Sequence, residues 1–255
     1  MAILQSVPNR IRKRYRSIDL IVNNGTENLC KGLVVKVNDI AYTVRDYTGL
    51  QILTSEFETF MSEWFQPRKG EVFVDIGSHV GKYSIATSKV VGNEGFVVAV
   101  EPHPSNYVAL KKNIELNNLK NIVAFNLAAW DRQCILQFFV GSTSADSNID
   151  RYCYGCGSIE VQAERMDNLL VNEVGLERVD WIKIDVEAAE YEVLLGLEET
   201  LIKFKPKLII EVWRRNMGKV KAFLDRHGYR FAKFSGFGEA QSEWFVDVLC
   251  VPDSA

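Results

Sequence analysis

From Glu71 to the C-terminus the chain alternates short runs of Val, Ile, Phe and Leu with segments of helical periodicity, and this alternation restricts the fold more than any other feature. The runs are VFVDI, FVVAVE, IVAFNLA, VDWIKIDV, PKLIIEV and YRFAKF. Most show no polar alternation, as expected of strands covered on both faces of a parallel sheet. Between them KYSIATSKVV, SNYVALKKNIELNN, AAEYEVLLGLEETLIKF and MGKVKAFLDRHG carry helical spacing. The last run, EWFVDVLCV, follows its predecessor across a Gly-rich turn with no helix between, so an antiparallel pairing is expected. The result is an α/β chain with an open, doubly wound sheet. Such sheets bind ligands at the carboxyl ends of their strands, where the strand order reverses.

The N-terminal part reads differently. LVVKVNDIAYTV, Leu33 to Val44, alternates on either side of Asn38-Asp39 and predicts a hairpin. In LQILTSEFETFMSEWF, Leu53, Phe57, Phe60, Met61 and Trp64 share one helical face, and Pro67 with Gly70 ends the helix. Upstream, RIRKRYR (Arg10 to Arg16) with Ile11, Tyr15 and Ile18 reads as an amphipathic helix with a solvated basic face; the alternative is a contact for an anionic substrate or a membrane surface. Residues 1–67 are therefore expected to form a small cap of basic helix, β-hairpin and amphipathic helix, with 68–255 as the main α/β domain. Between Gln133 and Gln162 lie an extra strand and the polar loop GSTSADSNIDRYCYGCGS, too long for a plain connection.

A net charge of −3 gives no global pull toward nucleic acid or an anionic membrane. No apolar run reaches transmembrane length, and MAILQSVPN is too short and polar for a signal-peptide core. Five cysteines, an odd number without a disulfide framework, suit a reducing compartment, hence a cytoplasmic location. The CxxC pair Cys153 and Cys156 has no second pair or histidine cluster to complete a zinc site.

Chemistry is expected just after the strands. Following VFVDI, Gly77 and Gly81 permit a tight turn and close approach of a ligand to the backbone. Glu101 ends the next strand, where a carboxylate can accept from both hydroxyls of a ribose. The spacing is D-x-G-x-x-x-G with no third glycine, and Asp75 would oppose a pyrophosphate, so a dinucleotide fits poorly. A cationic nucleoside, S-adenosylmethionine, fits instead. A second cluster follows the fourth and fifth strands: Asp185, Glu187, Glu190 and Glu211. Helix-dipole preference explains Glu187 and Glu190. It does not explain Asp185 and Glu211, which end buried apolar runs where an idle charge is costly. Asp185, Glu187 and Glu211 are the candidate catalytic groups, with Asp185 and Glu211 as candidate ligands of a magnesium ion.

From Glu71 to about Trp213 the chain resembles FkbM-type S-adenosylmethionine-dependent methyltransferases, on VFVDIGSHVGKYSIATSKVVGNEGFVVAVEPHPSNYVALKKNI, ERMDNLL and VDWIKIDVEAAEYEVLLGLEETLIKFKPKLIIEV. The resemblance implies a class I (Rossmann-like) methyltransferase fold, a seven-stranded, mostly parallel sheet with the last strand antiparallel. It also implies O-methylation, commonly of a hydroxyl on a sugar, glycoconjugate or natural product. Carried over by position, Asp75, Gly77, Ser78 and Gly81 hold the methionine part of the donor and Glu101 the ribose. Pro102, His103, Asn106 and Asn126 to Ala129, Ala128 among them, border the adenine. Two departures are His79, where the family usually has Asn, and Ala188, where it has Gly; His79 could pack, hydrogen-bond the donor or help bind substrate.

Rival readings are an RNA methyltransferase, an NAD-dependent dehydrogenase and a non-catalytic nucleoside-binding protein. ALKKNIELNNLKNI resembles tRNA guanine methyltransferases, but where enzymes acting on exocyclic amines carry N-P-P-[YFW] this chain reads D-V-E-A. The acceptor pocket is expected from the cap, the loop Gly141 to Ser158 and SGFGEAQSEWF; exposed edges and the β cap could mediate a homodimer.

Overall fold

The computed structural model of the chain describes residues 19–21, 32–53, 58, 60–140, 157–235 and 245–253. The basic stretch Arg10 to Arg16, the CxxC pair, and most of the 141–158 loop and of SGFGEAQSEWF lie outside them. Strand β1 (Asp19–Ile21) pairs antiparallel with β2 (Val34–Val37), and β2 with β3 (Ile40–Thr43). Asn38 and Asp39 turn the β2–β3 hairpin at φ 49° and 62°. A two-residue turn between twisted strands favours that left-handed geometry, and Asn and Asp tolerate it.

The single helix expected around Leu53 to Trp64 is not continuous. A short α1 (Tyr47–Ile52) and a one-turn α2 (Met61–Trp64) stand on either side of Glu58, whose φ of 56° excludes it from a right-handed helix. The cause is long-range: the Glu58 carboxylate accepts from the Tyr83 hydroxyl and from Lys82 Nζ, the latter at 3.2 Å.

The main domain begins with β4 (Val72–Ile76), α3 (Lys82–Val91), β5 (Phe96–Val100), α4 (Pro104–Leu116) and β6 (Ile122–Phe125). IVAFNLA, read as one strand, breaks after Phe125. Its second half, β7 (Ala128–Trp130), leaves the main sheet for a three-stranded one with β8 (Cys134–Phe139) and β9 (Ser158–Arg165). A π-helical turn (Asn168–Glu173) leads to β10 (Trp181–Ile184). The helix expected over Ala188 to Phe204 is two, α5 (Glu190–Gly196) and α6 (Glu198–Phe204), broken at Leu197. The chain closes with β11 (Lys207–Trp213), α7 (Met217–Arg226), β12 (Tyr229–Phe234) and β13 (Phe245–Pro252).

The seven-stranded sheet has the order β12-β13-β11-β10-β4-β5-β6. Strands β11, β10, β4, β5 and β6 run parallel to one another, and β13 runs antiparallel between β11 and β12. The chain starts at β4, moves outward through β5 and β6, and returns to the other side at β10. The order therefore reverses between β4 and β10, which is where a doubly wound sheet opens a crevice.

Strand alternation then sorts the side chains. Val74, Ile76, Ile182, Ile184, Leu208 and Ile210 enter one core with Val193, Leu194 and Leu201 of α5 and α6 and Val220 and Phe223 of α7. Their alternates Phe73, Trp181 and Ile209 pack on the opposite face with Met61 and Trp64 of α2 and Val91 of α3. Two residues further along each strand, on that same face, stand Asp75, Lys183 and Glu211. One face is apolar at its base and ionic at its carboxyl edge. That edge is the site.

Candidate active site

A single pocket at the β4–β10 switch point is lined by Asp75, Gly77, Ser78, His79, Glu101, Pro102, Asn106, Ala128, Asp185, Glu187 and Glu211 from among the residues expected on sequence grounds. Gly81, His103 and Asn126 do not line it. The His103 ring caps α4, its Nδ1 accepting from the Ser105 N–H at 3.1 Å. Asn126 turns its amide onto the carbonyls of Glu101 (2.8 Å) and Pro102 (3.0 Å), fixing the turn after β5.

The two glycines serve protein contacts. Both have left-handed φ, 83° at Gly77 and 92° at Gly81. A β-carbon on Gly77 would lie 1.7 Å from the Asp185 carbonyl oxygen, and one on Gly81 would lie 2.6 Å from Leu110. These are the positions at which the residue after β10 and a side chain of α4 come closest to the turn. What the turn offers the pocket is the backbone of His79, at φ 52°, whose N–H donates to Glu101 Oε2 at 2.8 Å.

Glu101 is 4% exposed and accepts two further bonds at Oε1, from the His103 N–H (2.9 Å) and Asn106 Nδ2 (3.2 Å). A carboxylate offers about four acceptor sites, so these three bonds fix its plane and leave capacity for a hydroxyl. Burial pushes its pKa to about 7, against the lowering effect of the three hydrogen bonds. Asp75, 1% exposed, is pushed to about 6 by burial, against the Lys183 charge and the Ser84 hydroxyl that donates to its Oδ2. Its Oδ1 is buried and, among the described residues, has no hydrogen-bond partner. An unsatisfied, buried acid oxygen beside an apolar wall of Val100, Pro102, Ala129 and Phe138 fits a nucleoside with a positive charge. It does not fit a pyrophosphate.

On the other side of the switch point Asp185, Glu187 and Glu211 each bring a carboxylate oxygen within 4.8 Å of the others. Lys183, 5% exposed, donates to Asp185 Oδ2 at 2.7 Å. Burial alone would depress the lysine, but Asp185, Glu58 and Asp75 together raise it, so it stays charged. Glu211 is raised well above its ordinary range, by burial first and then by Asp185, Glu187 and Asp247. Asp247, the cross-strand partner of Glu211, is itself pushed to about 6, chiefly by burial. Tyr83 and Lys82 of α3 and Glu58 close a further wall. Lys183 lies 5.1 Å from the Tyr83 ring centroid.

Lys82, Tyr83, Phe138 and Lys183 line the pocket without having been singled out in the sequence, and Glu58 and Phe245 line it from the cap and from SGFGEAQSEWF, segments expected at the acceptor side. Only Lys183 had a readable signal: it is the one charge in the run WIKI, whose other members are Trp and Ile.

Three proteins are similar to this chain. The chain is 24% identical over 180 residues to Methyltransferase 1 of Beauveria bassiana, covering 62% of this chain and 72% of that protein. It is 23% identical over 207 residues to Methyltransferase sdnD of Sordaria araneosa, covering 68% and 77%. In fold it resembles the methyltransferase FkbM of Methylobacillus flagellatus, with a TM-score of 0.53 and 17% identity over 75% of this chain. The match spans 46% of that chain, and at such identity it speaks to the class I methyltransferase fold alone. Residues 75–231, more than half of the sequence, match the methyltransferase FkbM domain, and the chain belongs to this family of S-adenosylmethionine-dependent methyltransferases.

Proposed function

We propose that the enzyme methylates a hydroxyl oxygen of a small acceptor, a sugar or natural product, and that Asp185 takes the hydroxyl proton. The observation that carries this reading is the set of three carboxylates, Asp185, Glu187 and Glu211, gathered across the switch point from Glu101. Six carboxylates and two lysines line the pocket, Glu58, Asp75, Glu101, Asp185, Glu187 and Glu211 against Lys82 and Lys183. That balance repels a phosphodiester, which speaks against an RNA acceptor. The Asp75 carboxylate speaks against a dinucleotide.

S-adenosylmethionine, when bound, supplies a methyl carbon on a positively charged sulfur that is already a good leaving group. Asp75 and Glu101 hold its cationic and ribose ends. Aligning the acceptor oxygen with that carbon is worth roughly 7–11 kcal/mol. One oxygen of Asp185 is fixed by Lys183, which orients the other to receive the proton. Burial, and then the neighbouring Asp185, Glu187 and Asp247, raise the Glu211 pKa, and in its protonated form the carboxyl can donate a hydrogen bond to the acceptor.

A second reading has support in the same cluster. Three carboxylates are the oxygen donors magnesium prefers, and Asp185, Glu187 and Glu211 would hold an ion that lowers the hydroxyl pKa. The ammonium of Lys183 already occupies one Asp185 oxygen, which favours the proton-acceptor role.

The test is transfer of a labelled methyl group to a panel of hydroxylated sugars and polyols and to bulk tRNA, with and without a chelator. Turnover with a hydroxylated small molecule, insensitive to the chelator and reduced about 10²–10⁴-fold in Asp185→Asn, is expected. Turnover only with tRNA, or an undiminished Asp185→Asn, would contradict it; loss in chelator would transfer the role to the metal.

A further inference from the structure

The family match begins at residue 75, yet a residue thirty positions upstream bonds a side chain that lines the donor pocket. Arg45 follows β3, and its Nη1 donates to Asn106 Oδ1. Asn106, 3% exposed and pocket-lining, donates in turn from Nδ2 to Glu101 Oε1 at 3.2 Å. Asn113 in α4 and Asn117 at its C-terminal cap continue the helix face of Asn106. Asn113 Oδ1 accepts from the Thr43 N–H at 2.6 Å, while its Nδ2 donates to the Val80 carbonyl in the donor turn at 2.9 Å. Asn117 exchanges two bonds with the backbone of Ala41, at 3.1 and 2.7 Å. Side-chain amides of α4 thus engage the backbone of β3, and the hairpin shares a core with Val80, Ile85 and Ala109.

We infer that Arg45 is a positioning residue of the donor pocket and that the N-terminal hairpin is, through it, part of the donor site. The two ends of an asparagine amide differ chemically, and a guanidinium can only donate. With Arg45 in place, Oδ1 of Asn106 must face the arginine and Nδ2 must face Glu101. That fixes the Glu101 carboxylate for the ribose diol without Arg45 touching the ligand.

The inference rests on the donor assignment above, and one experiment separates the two. Calorimetric titration with S-adenosylhomocysteine is run on the full chain, Arg45→Met, Asn106→Ala and the double variant. Arg45→Met should weaken binding about tenfold, and the double variant should bind no more weakly than Asn106→Ala alone, because Arg45 acts through Asn106. Unchanged affinity in Arg45→Met overturns the inference, and so do losses that simply multiply in the double variant. A wild-type chain that does not bind the ligand overturns the donor assignment and this inference with it. Should Arg45→Met lose its fold by circular dichroism, Arg45→Lys serves instead. It keeps the charge but not the planar fork and should bind a few-fold more weakly; wild-type affinity in it overturns the inference.

Discussion

A lysine inside a strand otherwise made of Trp and Ile must be held by carboxylates, and Lys183 sits among Asp185, Glu58 and Asp75. Lys183→Met should leave those acids uncompensated and lower stability toward the low end of about 3–5 kcal/mol, since Asp185 is partly exposed. Lys183→Met with Asp185→Leu should recover much of that loss, as read by urea denaturation. Asp75 and Glu101 make a prediction in pH. Their carboxyls, pushed by burial to about 6 and about 7, hold protons in the folded chain that the unfolded chain releases from about pH 4 upward. This contribution to stability is complete at acid pH and is lost as pH rises through about 6 to 7. A cationic donor favours the ionised forms, so its affinity should climb over the same interval by about tenfold or more and level off above about pH 8. Titration with S-adenosylmethionine between about pH 5.5 and 8.5 checks it; a flat profile would contradict the pairing of donor charge with these acids.

At the scale of elements, the strands were legible because their apolar runs report burial on both faces, and every run from VFVDI to EWFVDVLCV contains a strand of the main sheet. The breaks were not legible, because distant partners make them. Glu58 leaves its helix for Tyr83 and Lys82, and IVAFNLA is divided where Asn126 bonds the carbonyls of Glu101 and Pro102. The glycines of the turn after β4 were legible, but their packing against the Asp185 backbone and Leu110 was not, because spacing cannot reveal either contact. The hairpin's attachment depends on Asn113, which is fully buried and bonded on both sides. Asn113→Ala strands the Thr43 N–H and the Val80 carbonyl, and should cost about 1–3 kcal/mol at each group left unsatisfied. Faster amide hydrogen exchange across Ile40–Val44 would register it; unchanged protection would mean the amide ladder contributes little.

Across the whole molecule, a reversal in strand order brings Asp75, Glu101, Asp185 and Glu211 from four strand ends to one pocket. Acids at the ends of apolar strands were the signal in the sequence, and their meeting follows from the topology. Glu58, Lys82 and Tyr83 meet only where the N-terminal segment folds against α3, a contact that no local pattern in the sequence reports. Among the described residues no helix is long and apolar enough to cross a membrane. Calorimetric titration of the purified chain with S-adenosylmethionine and with NAD, repeated on Glu101→Ala, asks whether this pocket receives a positively charged nucleoside through Glu101. Saturable S-adenosylmethionine binding, weakened at least about tenfold by Glu101→Ala, with no response to NAD, is the expected result. Binding of NAD, or S-adenosylmethionine binding indifferent to Glu101, would contradict it.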